Sequence, residues 1–367
     1  MHSFDLSRPT LASFVGIHLY FLLILFLYWR RYTSDLKNAN RHSVFGLLFT
    51  VFLVFAFDGG DFYNYYNYIH NRDIENLEKV YHYILLLFNY NYLLFRLIVW
   101  GSALFLFQKT ACRFGLDKQR TSFFLFAAFI SVFDYARASL AMSIFFWGVS
   151  FLLIPKSNKA FSYIWGICIM SASVLFHHSM LIALVAAVIS FFIPLNRKYI
   201  PIFLVAFLLL SSLFGTWLNN IVGASLFNDA INSKIEGYST QEYNDYFSVY
   251  EWIRRYIEYG VFFIPFIITS YKYYYTQNSV PSSFHGLYKI CFILILFAIS
   301  VLFIPNLTFV LFYRILFLCM IPVVLLFCHC EQSGYISNVT YKSILLLGIT
   351  YLLFGFAKRV LGGSLSM

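Results

Sequence analysis

Charge is what this sequence has least of. Only 11% of its 367 residues are charged, against roughly 25% in a soluble domain. With 60% of residues hydrophobic and a mean hydropathy of +0.73, apolar runs of membrane-spanning length recur from end to end. That leaves no room for a separate soluble domain. The alternating ten-residue pattern of a membrane β-barrel is also missing, because the runs are uniformly apolar, so the spans are read as helices. There is no nucleotide-binding glycine loop, no zinc-ligand spacing and no serine-nucleophile motif, and no internal repeat. The first run, near residues 11–29, lacks a basic segment before it and a small-residue cleavage site after it, so it is expected to be a retained span. The six cysteines (Cys112, Cys168, Cys291, Cys319, Cys328 and Cys330) fall in spans or on the expected inner face, away from loops where a disulfide would form. Cys328-His329-Cys330 has no second cluster to complete a metal site.

The acids are scarce and unevenly placed, and this orients the chain. Spans are expected near 11–29, 43–57, 92–108, 121–134, 138–154, 161–176, 179–193, 201–218, 259–271, 287–304, 309–328 and 342–357. That makes an all-α polytopic integral membrane protein of about 12 transmembrane helices, within a range of 10–14, treated as a single transmembrane domain over 1–367. Alternate connections then hold 15 of the 26 Lys and Arg, with only three acids, Asp35, Asp117 and Glu331. Short cationic loops stay in the cytoplasm, so both termini are expected outside. The net charge of +10 is therefore a topology signal, and nucleic acid is not an expected partner.

What the sequence does have is polar chemistry crowded on the expected outer face. The first outer loop, 58–92, begins Asp58-Gly-Gly-Asp61. Two carboxylates there suit a divalent metal or a general base, or else a solvated turn; these readings stay open. Tyr63, Tyr65, Tyr66 and Tyr68 follow, beside Asn64 and Asn67. Such residues suit sugars by stacking and hydrogen bonding, and equally suit an interfacial aromatic belt. The run Val80–Phe88 is too short to span and reads as interfacial or re-entrant. In the large outer loop, 219–260, Tyr246, Tyr250 and Arg254 recur at every fourth position. On a helix they share one face along the membrane surface; Arg254 and Arg255 alternatively anchor that helix to lipid phosphates.

Single arginines within or at the ends of apolar runs stand out, since an arginine at bilayer depth costs several kcal/mol. They are Arg96, Arg137 in VFDYARASLAMSIFFW, and Arg314 in VLFYRILF. A guanidinium in such a place snorkels to the interface, pairs with an acid, or binds phosphate. For Arg137 an ion pair with Asp134, one helical turn earlier, competes with phosphate binding; for Arg96 a structural role competes. One hairpin after Arg137, at the same expected depth, LFHHSMLIAL (175–184) presents the titratable His177 and His178.

The stretch RASLAMSIFFWGVSFLL, a short basic loop, and then a span ending FHHSMLIALV resembles the pattern of the EpsG family of Wzy-type bacterial polysaccharide polymerases. Arg137, Ala141, Phe176, His177, Ser179 and Leu181 match it. Asp61 followed by Tyr65 is similar to the family's segment after the second span, and FYRILF with Pro322 resembles its late arginine-containing span. Ala138 and Met180 depart from the usual glutamine and alanine, and Phe57-Asp58 replaces an arginine often found before the first Asp loop. The resemblance implies a GT-C-like polymerase/ligase architecture in the bacterial inner (cytoplasmic) membrane, with its active site at the periplasmic face. It also implies joining of undecaprenyl-diphosphate-linked repeat units into O-antigen or exopolysaccharide, without metal or other cofactor. The expected roles are diphosphate binding by Arg137, Arg314, Arg254 and Arg255, and proton removal by His177 or Asp61. Sugar contact is expected from Tyr65, Tyr66, Tyr246 and Tyr250. Expected partners are the lipid-linked glycan, membrane lipid, and a chain-length regulator and flippase. A flippase for lipid-linked oligosaccharide and an O-antigen ligase are the alternatives.

Overall fold

The structure, a computed structural model, describes residues 11–33, 44–55, 77–133, 136–194, 249–275, 280–301 and 309–361, with the single positions 69, 71, 200, 202 and 205. Among them every regular element is helical: α1 (Leu11–Thr33), α2 (Phe45–Phe55), α3 (Lys79–Leu87), α4 (Tyr92–Arg113), α5 (Lys118–Phe133), α6 (Ala136–Leu153), α7 (Lys159–Phe176), α8 (Met180–Phe192), α9 (Val249–Tyr274), α10 (Ser282–Val301), α11 (Phe309–Phe317), α12 (Met320–Gln332) and α13 (Asn338–Leu361). By length and composition α4, α7 and α10 can each cross a membrane. The short run expected at Val80–Phe88 is the nine-residue helix α3. The expected span at 201–218 lies outside the described residues, apart from the single positions 202 and 205. The late span expected as one helix over 309–328 is two, α11 and α12. Pro322 explains the break: its ring clashes with the carbonyl four residues back, that of Leu318, and its missing N–H is harmless only in a first helical turn.

The described chain falls into two compact units, one comprising 1–180 with 327–367 and the other 181–326. In the first unit α4 packs extensively on α6, and α6 on α7. The α6–α7 hairpin closes at two glycines. A Cβ on Gly148 would lie 2.9 Å from the Gly166 carbonyl oxygen, and one on Gly166 would lie 2.9 Å from that of Gly148. Only glycine lets the two backbones approach this closely, the small-residue packing that membrane helices use in place of a hydrophobic driving force. Asn158 starts α7 by accepting a hydrogen bond from the Phe161 N–H at 3.0 Å, as Asn91 starts α4 by accepting from Leu94 N–H at 3.0 Å. Both are ordinary N-caps. Gly115, at φ +74°, ends α4 in the left-handed region that favours glycine.

Phenylalanine does more here than line an interface. Phe21, Phe45, Phe49, Phe52, Phe123 and Phe126 are buried where α1, α2 and α5 meet. Phe45 and Phe49 reach the Phe126 ring with centroids 5.6 and 4.8 Å apart, both edge-on, the arrangement the ring quadrupole prefers. The outward surface is apolar too: Phe161, Ile164, Ile167 and Leu175 of α7 are each more than half exposed. Water would not tolerate such a face, and lipid would.

Two arginines hold helix ends. Arg96, 2% exposed, donates from Nε to the Val54 carbonyl at 2.8 Å and from Nη2 to that of Leu53 at 2.7 Å. It thereby caps the orphan carbonyls at the end of α2, while its guanidinium lies 4.2 Å from the Trp100 ring centre. Of the two readings the sequence left for Arg96, the structural one holds. At the other end of α4, Arg113 donates to the Ile154 carbonyl at 2.7 Å, just past the end of α6. With both clamps made, α4 runs antiparallel to α2 and parallel to α6.

Candidate active site

The start of α6 is fixed before any site chemistry begins. Where α5 stops, the carbonyl of Phe133 accepts from Ser139 Oγ at 2.7 Å and from Trp100 Nε1 at 3.3 Å. A buried carbonyl left by a helix end must be satisfied, and these two donors do so while setting where α6 begins. Arg137 therefore sits in the first turn of α6. The last residue of the hairpin's return helix, Phe176, is followed by His177, whose backbone is extended (φ −162°, ψ 120°) and whose N–H donates to the Ser173 carbonyl. The hairpin thus puts Arg137 and His177 at one end.

Between them stands a residue that the sequence reading did not single out. Glu78 is the N-cap of α3, yet its side chain makes no capping bond. Its carboxylate instead accepts from Arg137 Nη1 at 2.7 Å through Oε2, and meets His177 Nδ1 at 3.1 Å through Oε1. The His178 Nδ1 lies 3.8 Å from the same oxygen, beyond hydrogen-bond reach. His178 is largely exposed, whereas about a quarter of the His177 and Arg137 side chains is exposed and Glu78 is 8% exposed. Burial raises the Glu78 carboxyl's pKa. The His177 hydrogen bond and the Arg137 charge outweigh that and hold it at about 2. Glu78 is therefore a carboxylate at neutral pH, held by charge-assisted bonds.

Tyr81 keeps α3 in place. It is fully buried, packs edge-on against Phe95 of α4 and Phe176 of α7, and donates from its hydroxyl to the Arg137 carbonyl at 3.4 Å. The signal that could have found Glu78 was faint. It is an acid placed just before a short apolar segment that is too short to cross a membrane.

Asp61, Tyr65, Tyr66 and Tyr246 lie outside the described residues, as do Asp58 and Asp134. Tyr250, Arg254 and Arg255 lie in α9, so the helical spacing expected of Tyr250 and Arg254 is present in the backbone. Arg314 lies on α11, in the second unit, with an exposed side chain.

The fold and this cluster define a helical membrane protein with an arginine, a carboxylate and an imidazole gathered at one end of a tight hairpin. The chain belongs to the EpsG family, whose model matches residues 42–364. This is a family of membrane proteins like the Wzy-type polysaccharide polymerases. No curated protein and no solved structure matches the chain.

Proposed function

We propose that this protein is a polysaccharide polymerase of the bacterial inner membrane, joining undecaprenyl-diphosphate-linked oligosaccharide repeat units at the periplasmic face. The observation that carries the proposal is the meeting of Arg137 and His177 at one end of the α6–α7 hairpin in a chain of the EpsG family. In the reaction, a hydroxyl of the incoming lipid-linked repeat unit attacks the anomeric carbon of the growing glycan. A glycosidic C–O bond forms, the bond from that carbon to the diphosphate breaks, and undecaprenyl diphosphate leaves. The donor's own phosphoester supplies the driving force, and the proposal uses no metal or other cofactor.

Each demand of that reaction has a residue to meet it. The attacking hydroxyl loses a proton as the new bond forms, and His177 accepts it, with Asp61 as the competing base. Charge gathers on the departing diphosphate, and Arg137 stabilises it with the fork of N–H donors that arginine alone presents. Glu78 already offsets one positive charge at Arg137, so a diphosphate calls for further cations. Arg314, Arg254 and Arg255 are assigned that part. Tyr65, Tyr66, Tyr246 and Tyr250 are assigned to the sugars. Twelve spans in a GT-C-like arrangement, with the loops 58–92 and 219–260 on the periplasmic side of a single transmembrane domain, complete the proposal. A chain-length regulator and a flippase are its expected partners.

The test is a gene deletion complemented with variants, read as the surface-polysaccharide ladder on a gel. Deletion is expected to leave single-repeat product. Loss of all product would point to a flippase, and unattached long polymer to a ligase. Arg137→Lys is expected to fail nearly as badly as Arg137→Ala, because lysine lacks the paired donors. Normal long-chain polymer from Arg137→Ala at normal protein levels would remove Arg137 from the mechanism.

A further inference from the structure

Glu78 has no part in the chemistry just described, yet it is the most buried member of the cluster and the one that touches both others. Nothing about its place is accidental to the local fold. An N-cap side chain ordinarily turns back to the first N–H groups of its own helix, and this one does not. The first turn of α3 still favours an anion there through its backbone dipole. The carboxylate is spent instead on two groups of the α6–α7 hairpin, 59 and 99 residues away in sequence.

The bond to His177 has a direction. An ionised carboxylate can only accept hydrogen bonds, and Glu78 is ionised. The imidazole nitrogen that meets it at 3.1 Å is Nδ1, so Nδ1 carries the hydrogen. In a neutral imidazole that leaves Nε2 with the lone pair. We propose that Glu78 is a positioning residue, which fixes His177 as the Nδ1–H tautomer and so leaves Nε2 as the proton acceptor. Its second oxygen ties the same carboxylate to Arg137 Nη1, so the base and the cation are held at a set separation by one side chain. The charge of Glu78 also stabilises the imidazolium that forms when Nε2 takes a proton. The proton goes from the acceptor's hydroxyl to Nε2, and Glu78 itself stays ionised throughout. The acid that orients the base of a Ser-His-Asp triad acts by the same physics. This inference rests on the proposed polymerase reading for its catalytic meaning, but not for the tautomer.

The experiment measures the two separately. The full-length protein is labelled with 15N-histidine in lipid nanodiscs, and the ring nitrogens of His177 are assigned by their loss in His177→Gln. Spectra are taken as pH is raised until the imidazole is neutral, and there wild type is expected to show a protonated Nδ1 and an unprotonated Nε2. Glu78→Gln keeps the shape but its amide is not bound to accept from Nδ1, and it is expected to shift His177 toward a mixture containing Nε2–H. Glu78→Asp, which keeps the charge, is expected to recover the Nδ1–H form in part. Complemented deletion cells carry the same variants at matched protein levels. There Glu78→Gln is expected to shorten or abolish the polymer ladder, and Glu78→Asp to restore part of it. An Nε2–H tautomer in wild type, or no change on Glu78→Gln, overturns the inference whatever the ladder shows. If the tautomer changes as expected while Glu78→Gln and His177→Ala cells both make normal polymer, only the hold of Glu78 on the Nδ1–H tautomer stands. The assignment of His177 as base then falls.

Discussion

Replacing Glu78 by glutamine removes a charge without removing atoms, and its effect on stability should depend on pH in a way the site dictates. The carboxyl of Glu78 titrates at about 2 in the folded protein, against 4.5 ordinarily. A folded-state value below the unfolded one means the carboxylate stabilises the fold. That contribution is complete above about pH 4.5 and is lost as pH falls from there toward 2. The displacement corresponds to about 3 kcal/mol. Arg137 and His177 are each about a quarter exposed, and solvent screening at the site reduces the figure to about 1–2 kcal/mol. Purified wild type and Glu78→Gln would be compared by thermal unfolding in one detergent between pH 7 and pH 3. At pH 7 the variant is expected to melt lower by a few degrees, and the gap is expected to narrow below pH 4.5 as wild type loses its advantage. Part of the gap is expected to remain at pH 3, since the folded carboxyl is still ionised there. A variant as stable as wild type at pH 7 would refute the reasoning. So would a gap that stays constant down to pH 3, because the stabilisation would then not come from the ionised carboxylate.

Two further expectations concern the scaffold. Gly166→Leu forces a side chain against the Gly148 carbonyl and is expected to cost about 1–3 kcal/mol or more. Fluorescence-detected size exclusion would show it as lost monodisperse protein, whereas Gly16→Ala, with nothing within 4 Å of the added methyl, should leave the profile unchanged. Arg96→Met strips the end of α2 of two buried donors and should lower the melting temperature, at about 1–3 kcal/mol for each carbonyl left unsatisfied. Ladder length per folded molecule should survive it, unlike Arg137→Ala; equal loss of polymer in both would place Arg96 in the chemistry.

Composition and local order settled much of this protein. Uniformly apolar runs can satisfy their backbone only as helices, and the starts at Asn91 and Asn158 and the stop at Gly115 follow from cap and turn chemistry that adjacent residues fully specify. That Arg137 and His177 lie at the same end was also legible, because a hairpin of two spans must bring its outer ends together. The break between α11 and α12 was written in Pro322, although the apolar run around it conceals the proline. Glu78 was not legible, and neither was the partner of Arg96. An ion pair between residues 59 positions apart leaves no periodicity in either segment, and a guanidinium that clamps backbone carbonyls has partners that every residue possesses. Only the packing of α3 against α4 and α7, with Tyr81 wedged between them, decided that a carboxylate would stand between the arginine and the histidine. The sequence supplies the ionisable groups, but whether they are near enough to share a proton or a charge depends on distances that the tertiary fold alone sets.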